Sequence, residues 1–323
     1  MDLVDSSCNA RVCQPVPERV DVIRNTPSVI VKLRGGLGNQ LFQYAAGRSL
    51  ASRSGVPLML DTKSGFENDP NGRSYALGAF ALSNIVLEAD SSGRGLRAEL
   101  RSRLLRRREI LRLKLLGRYY SPSIQRLRVS GPTVLDAYCQ SPRYFLGLEE
   151  ALKEELAFKA IPAGVDPAIV SEIYFANSVC VHARRLLGVC ADRTKTRRAV
   201  ADYYGACGIS YYRRALATLA RERGPVNAYL FSDDLDWARE NALQLVTTNC
   251  AVKVIEEQDT LKSFYLMRLC KHFVLANSTF GWWAAWLGEF ARKAVYVPSV
   301  WNRGEKRFPL EMFPDGWNIV PAA

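Results

Sequence analysis

Between residues 178 and 298, five short apolar runs with strand character are separated by four runs with helical spacing. "SVCVHARR", "NAYLFSDD", "CAVKVIE", "HFVLANS" and "KAVYVPSV" are the strands. "SYYRRALATLARERG", "LDWARENAL", "LKSFYLMRLC" and "TFGWWAAWLGEF" are the helices between them. A helix between two strands carries the chain back across the sheet, so successive strands run parallel. The same pattern opens the chain: "SVIVKLR" (28–34) is a strand, "GGLGNQ" a turn, "LFQYAAGRSLASRSG" a helix and "VPLMLD" (56–61) the next strand. "TVLDAYCQ" (133–140) adds a strand and "LEEALKEELAF" (148–158) a helix. "PAGVDP" (162–167) reads as a boundary. The expected organisation is a flexible arm over 1–27, an N-terminal α/β domain over 28–165 and a C-terminal α/β domain over 166–323.

The net charge of +12 is concentrated. Residues 94–118, "RGLRAELRSRLLRRREILRLKLLGR", hold ten basic and two acidic residues, a local balance of +8. Leu100, Leu104, Leu111 and Leu115 recur there at helical spacing. Such a segment either docks by its leucines with a solvated arginine face or lies on an anionic membrane surface. It has no aromatic residue on which bases could stack, which argues against nucleic acid. No apolar run reaches the roughly 18–20 residues of a membrane-crossing helix. The first residues carry early acids and no apolar stretch, unlike a secretory leader. Eight cysteines are scattered without a CxxC pair, which speaks for reduced thiols rather than a zinc site or a disulfide framework. A cytoplasmic protein, in peripheral contact with a membrane face, is expected.

In open parallel sheets, ligands gather at the carboxyl ends of strands. Four polar clusters fall there. "GGLGNQ" opens a helix, where backbone N–H groups favour an anion. "HARR" ends a strand with two arginines, whose forked guanidinia suit a diphosphate. "FSDD" (231–234) suits a ribose, a base edge or a metal, and Asp233 or Asp234 equally suits a helix cap. "ANSTFGWW" (276–283) places hydroxyls at a helix start; Asn277, Ser278 and Thr279 are capping candidates as well. Two of Trp282, Trp283 and Trp286 belong to the core by their spacing, and His272 reads as structural.

"IVKLRGGLGNQLFQYAAGRSLA", "LDAYCQSPRYF", "VHARR", "YYRRAL", "FSDDLDWARENAL" and "YLMRLCKHFVLANSTFGWWAAWL" occur in that order. Together they resemble the α-1,2-fucosyltransferases of glycosyltransferase family 11, from about residue 28 to the end. The resemblance implies a GT-B fold, two Rossmann-like domains facing across a cleft. It implies GDP-fucose as donor, held mainly by the C-terminal domain, and the 2-hydroxyl of a terminal galactose on a glycan or glycolipid as acceptor. It implies inversion at the anomeric carbon, with no required metal or cofactor. Arg184 is then the β-phosphate contact and, with Asn39, a catalytic candidate; Arg185 supports it or anchors the strand. His182 is a nucleoside contact, and Gly36, Gly38 and Asn39 bring a helix start to the diphosphate or sugar. Ser278 and Thr279 are phosphate contacts, and Asp233 or Asp234 binds ribose or guanine.

Two positions depart from the family pattern. Relatives usually read HxRRGD, where this chain has Leu186 and Leu187 after its arginines. They also carry an acid where this chain has Ser263. Asp192 and Asp259 are the nearby carboxylates. The departures leave two other readings open: transfer from a different sugar nucleotide on the same scaffold, or a non-catalytic relative that binds glycan or membrane. The sequence singles out no general base.

Overall fold

A computed structural model describes residues 26–69, 71–82, 104, 106–108, 111, 118–185, 205–302 and 308–322. Residues 1–25 of the expected arm over 1–27 and most of 94–118 therefore lie outside the described residues.

The first sheet has three parallel strands, β1 (Ser28–Lys32), β2 (Leu58–Asp61) and β3 (Pro132–Leu135), in the order β2-β1-β3. The second has six parallel strands: β4 (Ser178–Ala183), β5 (Val226–Ser232), β6 (Cys250–Ile255), β7 (His272–Leu275), β8 (Val295–Pro298) and β9 (Asn318–Val320). Their order is β6-β5-β4-β7-β8-β9. The chain builds outward from β4 through β5 to β6, then returns to lay β7 on the other side of β4. In each sheet, the strand flanked by both neighbours in this way is a topological switch point: β1 in the first, β4 in the second.

Eight α-helices are described: α1 (Leu37–Ser54), α2 (Pro122–Gln125), α3 (Glu149–Glu155), α4 (Pro167–Phe175), α5 (Ile209–Arg223), α6 (Leu235–Ala242), α7 (Thr260–Leu269) and α8 (Thr279–Leu287). Three departures from the expected pattern bear on the architecture. The helix expected over 148–158 is shorter, Glu149–Glu155. The stretch read only as a boundary leads into α4, whose start is set by Asp166 accepting from the Ala168 amide at 2.9 Å, with Pro167 in the first turn. The strand series does not close at β8, because Asn318–Val320 pairs with it as β9. Several expected strands also stop early, among them β1 at Lys32, β3 at Leu135, β4 at Ala183, β5 at Ser232 and β7 at Leu275.

One hydrophobic core runs through both sheets. α1 is buried on nearly every side, with Leu41, Phe42, Tyr44 and Ala45 fully enclosed, and so lacks a polar stripe. Its Phe42 ring lies 4.6 Å from Trp282 and 5.0 Å from Trp283 of α8, and Phe145 stacks on Trp283 at 5.5 Å. Trp282 and Trp283 are fully buried and Trp286 is half-buried, and the indole N–H of Trp282 donates to the Met312 carbonyl. His272 is structural: it is buried, and its Nδ1 accepts from the Ala294 amide. Among the described residues, no helix is long and apolar enough to cross a membrane. Leu104 and Leu111 are in helical backbone and 56% and 55% exposed, while Arg106 reaches toward Asp136 at 4.0 Å. These two leucines therefore do not dock the segment onto the core.

Candidate active site

The two switch points face each other. The carboxyl end of β1 feeds the turn Gly35–Gly36 into α1, and the carboxyl ends of β4 and β7 feed Arg184 and Ser278. Between them lies a cleft of about 800 Å³, lined from both halves of the chain. Gly36, Gly38, Asn39, His182, Arg184, Asp233, Ser278 and Thr279 line it, whereas Arg185 and Asp234 do not.

At the end of β4, neighbouring residues part company. The guanidinium of Arg184 lies in the cleft and donates to Asp233 at 2.8 Å. Burial lowers its pKa, Asp233 opposes that, and the positive Arg73 adds to it. Arg185 turns the other way. Its backbone N–H donates to Asp233, its guanidinium to the Cys207 carbonyl at 2.9 Å, and it sits over the Trp237 ring at 4.5 Å. Of the two roles expected for Arg185, these contacts fit the anchoring one, and the side chain does not line the cleft as a ligand contact. Asp234 is likewise corrected to a cap, since its carboxylate accepts from the Trp237 amide at the start of α6. His182 is only 5% exposed. Its ring lies 5.8 Å from Phe280, and a methyl group on Gly281 would come within 2.6 Å of Nδ1. That Nδ1 is buried without a hydrogen-bond partner. Burial first, and the Arg184 charge second, push its pKa down to about 4, so the imidazole is neutral near pH 7.

The two helix starts touch. A Cβ on Gly38 would fall 2.4 Å from the Thr279 carbonyl carbon, so only glycine allows α1 to meet α8 here. Gly36 precedes α1 without a side-chain cap, whereas Ser278 caps α8 by accepting from the Phe280 amide at 3.3 Å. Asn39 closes the seam: its Oδ1 accepts from Thr279 Oγ1 at 3.2 Å and from Gln140 Nε2 at 2.8 Å. Asn277 lines the cleft and donates to the Trp301 carbonyl. Both helix N-termini therefore aim their positive ends into one cavity.

Three cleft features escape sequence reading. Arg73, on the loop after β2, lines the cleft beside Gly36. Gln40 holds that loop: its amide donates to the Gly35 and Ser74 carbonyls and accepts from the Ala76 amide, each near 2.9 Å. Gln140 fixes Asn39, as above. The glutamine of "GGLGNQ" was visible in the motif, but nothing local ties it to a loop more than thirty residues later. Of the carboxylates weighed for the missing acids, Asp259 lines the cleft but is engaged in capping α7, accepting from the Leu261 and Lys262 amides. Ser263 donates to the Glu257 carbonyl. Leu186, Leu187 and Asp192 lie outside the described residues.

Two parallel sheets whose switch points share a cleft carrying fixed cations and helix starts define a glycosyltransferase of the GT-B type. The sequence model for Glycosyl transferase family 11 matches residues 124–319, more than half of the chain. The chain belongs to glycosyltransferase family 11. The α-1,2-colitosyltransferase of Escherichia coli is 27% identical over 293 residues, 90% of this chain and 97% of that protein. The O-antigen biosynthesis glycosyltransferase WbnK of Escherichia coli is 24% identical, over 88% of this chain and 98% of that protein. Among solved structures, fucosyltransferase NodZ from Bradyrhizobium has a TM-score of 0.51 at 17% identity, covering 80% of this chain and 92% of NodZ. NodZ has been crystallised with GDP and soaked with GDP-fucose.

Proposed function

We propose that this chain is an inverting α-1,2-fucosyltransferase that moves L-fucose from GDP-fucose to the 2-hydroxyl of a terminal galactose on a glycan or glycolipid. The observation that carries it is the convergence of Arg184 with the N-termini of α1 and α8 on one cleft. The nucleoside lies on the six-stranded half, near His182 and Asp233, and the acceptor approaches from the three-stranded half. As the bond from the anomeric carbon to GDP breaks, positive charge grows on the sugar and negative charge on the diphosphate. Arg184 and the two helix starts meet that negative charge, so nothing needs to protonate the leaving group and no divalent metal is required. The galactose oxygen attacks the opposite face, its proton is released, and the configuration inverts. Asn39, at the seam, is placed to touch the diphosphate or the sugar.

The colitosyltransferase relative supports a second reading, in which the donor is GDP-colitose. Colitose is fucose without its 3-hydroxyl, so the two donors share every diphosphate contact. The test is transfer from GDP-fucose, GDP-colitose and a UDP-sugar to a lactose-like acceptor, with and without a chelator. Transfer from GDP-fucose that survives chelation is expected; turnover of GDP-colitose alone favours the second reading. Absence of turnover with both GDP-sugars, in protein whose melting GDP does not raise, overturns both. Peripheral contact of 94–118 with an anionic membrane belongs to the same proposal, supported by the exposure of Leu104 and Leu111. Flotation with acidic liposomes at low salt, lost near ~0.5 M salt, tests it, and equal binding to neutral liposomes removes the electrostatic account.

A further inference from the structure

We infer that Arg73 is a second diphosphate-binding residue, reaching the donor's sugar-linked phosphate from the side of the cleft opposite Arg184. The inference rests on the donor reading proposed above.

Arg73 stands where a cation has no structural reason to be. Its guanidinium has no carboxylate and no hydrogen-bond acceptor among the described residues, although its own backbone amide donates to Asp69 at 3.2 Å. Its surroundings are positive. A methyl on Gly36 would lie 3.9 Å from its Nε, which places the side chain at the uncapped start of α1, the positive end of that helix. Its charge is also felt by Arg184 across the cleft. Arg184 already holds Asp233 and Ser278 caps α8, so Arg73 and the uncapped start of α1 are the positive groups of this cavity left for an anion to answer among the described residues. The arrangement is not a loose surface arginine finding its own place. The loop is fixed on both sides of Arg73, by Asp69 accepting from the amides of Asn71 and Arg73, and by the Gln40 amide clamping Ser74 and Ala76. Gln40 is fully buried, so this clamp is part of the core rather than of the surface.

The place also selects the phosphate. With the nucleoside on the six-stranded half, Arg184 and Ser278 meet the diphosphate from that side. The β-phosphate, which carries the sugar and becomes the leaving group's terminus, is the one that reaches the three-stranded half, where Arg73 waits. Binding from both sides makes the contact one that strengthens as the β-phosphate gains charge.

The experiment compares Arg73→Ala, Arg73→Lys and the unaltered protein for binding of GDP, GMP and guanosine, with melting curves and transfer kinetics alongside. GDP affinity is expected to fall about ten- to a hundredfold in Arg73→Ala, the range of a charge-assisted contact. GMP and guanosine affinities should stay within about twofold, because neither carries the β-phosphate. Arg73→Lys should recover part of the loss, since a point charge replaces the fork. An equal fall for GDP and GMP, or unchanged GDP affinity in a variant that melts normally, overturns the inference. A fall in guanosine affinity together with a lowered melting point makes Arg73 structural and overturns it too. If the unaltered protein binds neither GDP nor GMP, the donor reading itself is wrong, and the result in the variants is not needed to see it.

Discussion

On the six-stranded side of the cleft, the charged and capping groups have protein partners: Arg184 holds Asp233, Asp259 caps α7 and Ser278 caps α8. On the three-stranded side, α1 starts at Gly36 without a side-chain cap, and Arg73 has no carboxylate partner among the described residues. On the first lip the charged groups are internally paired, although His182 Nδ1 is left without a hydrogen-bond partner; on the second, Arg73 and the start of α1 are not. A pre-paired lip holds its geometry without ligand and so sets where the donor lands. An unpaired lip loses less on binding, because it breaks no internal ion pair to make its contact. Substitutions of the paired or capping groups on the first lip should therefore show in the melting curve of the empty protein, and loss of Arg73 on the second only when nucleotide is present.

The largest expected effect is Arg184→Ala. Loss of a cation that meets the leaving diphosphate costs ~3–4 kcal/mol, about two to three powers of ten in kcat/KM, with kcat falling as well. Arg184→Lys should recover only part of this. Steady-state turnover within about threefold of the unaltered protein would end the assignment of Arg184 to the leaving group.

Next is the pH response of His182. Its folded pKa of about 4 lies below the ordinary 6.5, so between these values the unfolded chain binds more protons than the folded one. Stability is then fully present above pH 6.5 and declines as pH falls toward 4, by up to ~3 kcal/mol from this group. His272 shares the direction, its pKa pushed down to about 4 by burial. Melting curves from pH 7 to 4.5 should drop less steeply in His182→Asn than in the unaltered protein. Parallel slopes would show that His182 is not buried neutral.

Gly38→Ala comes third. The added methyl meets the Thr279 backbone at 2.4 Å, which cannot swing aside as a side chain would. Overpacking of this kind costs ~1–3 kcal/mol. The expected result is a lower melting point together with a fall in kcat, because both helix starts shift. A normal melting point would mean that the two halves move apart there without cost.

The smallest effect is Ser278→Ala, which removes the cap on α8 at ~1 kcal/mol. The empty protein should melt slightly lower, with a change in donor KM only if the hydroxyl also reaches phosphate. The corresponding change on the other lip, Gly36→Ala, removes no cap and should leave the empty protein's melting point nearly unchanged.

The sequence located both lips, the six-stranded one through its strand ends and the three-stranded one through the turn Gly36–Asn39, but not Arg73. The strands that carry His182, Asp233 and Ser278 announce themselves by apolar runs and by the alternation with helices, so their carboxyl ends could be located residue by residue. Which way a side chain turns there could not. Arg184 and Arg185 are identical in chemistry, and only the tertiary positions of Asp233 and Trp237 send one into the cleft and the other out of it. Asp233 and Asp234 divide in the same way, because the cap belongs to the residue whose backbone enters α6. Arg73 had no local signature at all. It lies in an irregular loop, and its placement depends on Gln40, which is distant in sequence. β9 is three residues long and is itself the edge strand, paired only with β8, too little for periodicity to register. α4 did have a signal, the Asp-Pro pair at its start, which reads equally as a boundary because caps and boundaries use the same residues.

The contact of Gly38 with Thr279 bears on how the molecule can move. Two backbones lie against each other with no side chain between them, and behind them Phe42, Phe145, Trp282 and Trp283 form a single aromatic mass. Such a joint resists separation and tolerates rotation, as a fulcrum does. A cleft that opened or closed about this contact would move groups beside it, such as Asn39 and Thr279, least and those at the far rim most. The reacting centre would sit close to the still point of that lever, where its alignment survives motion of the rest.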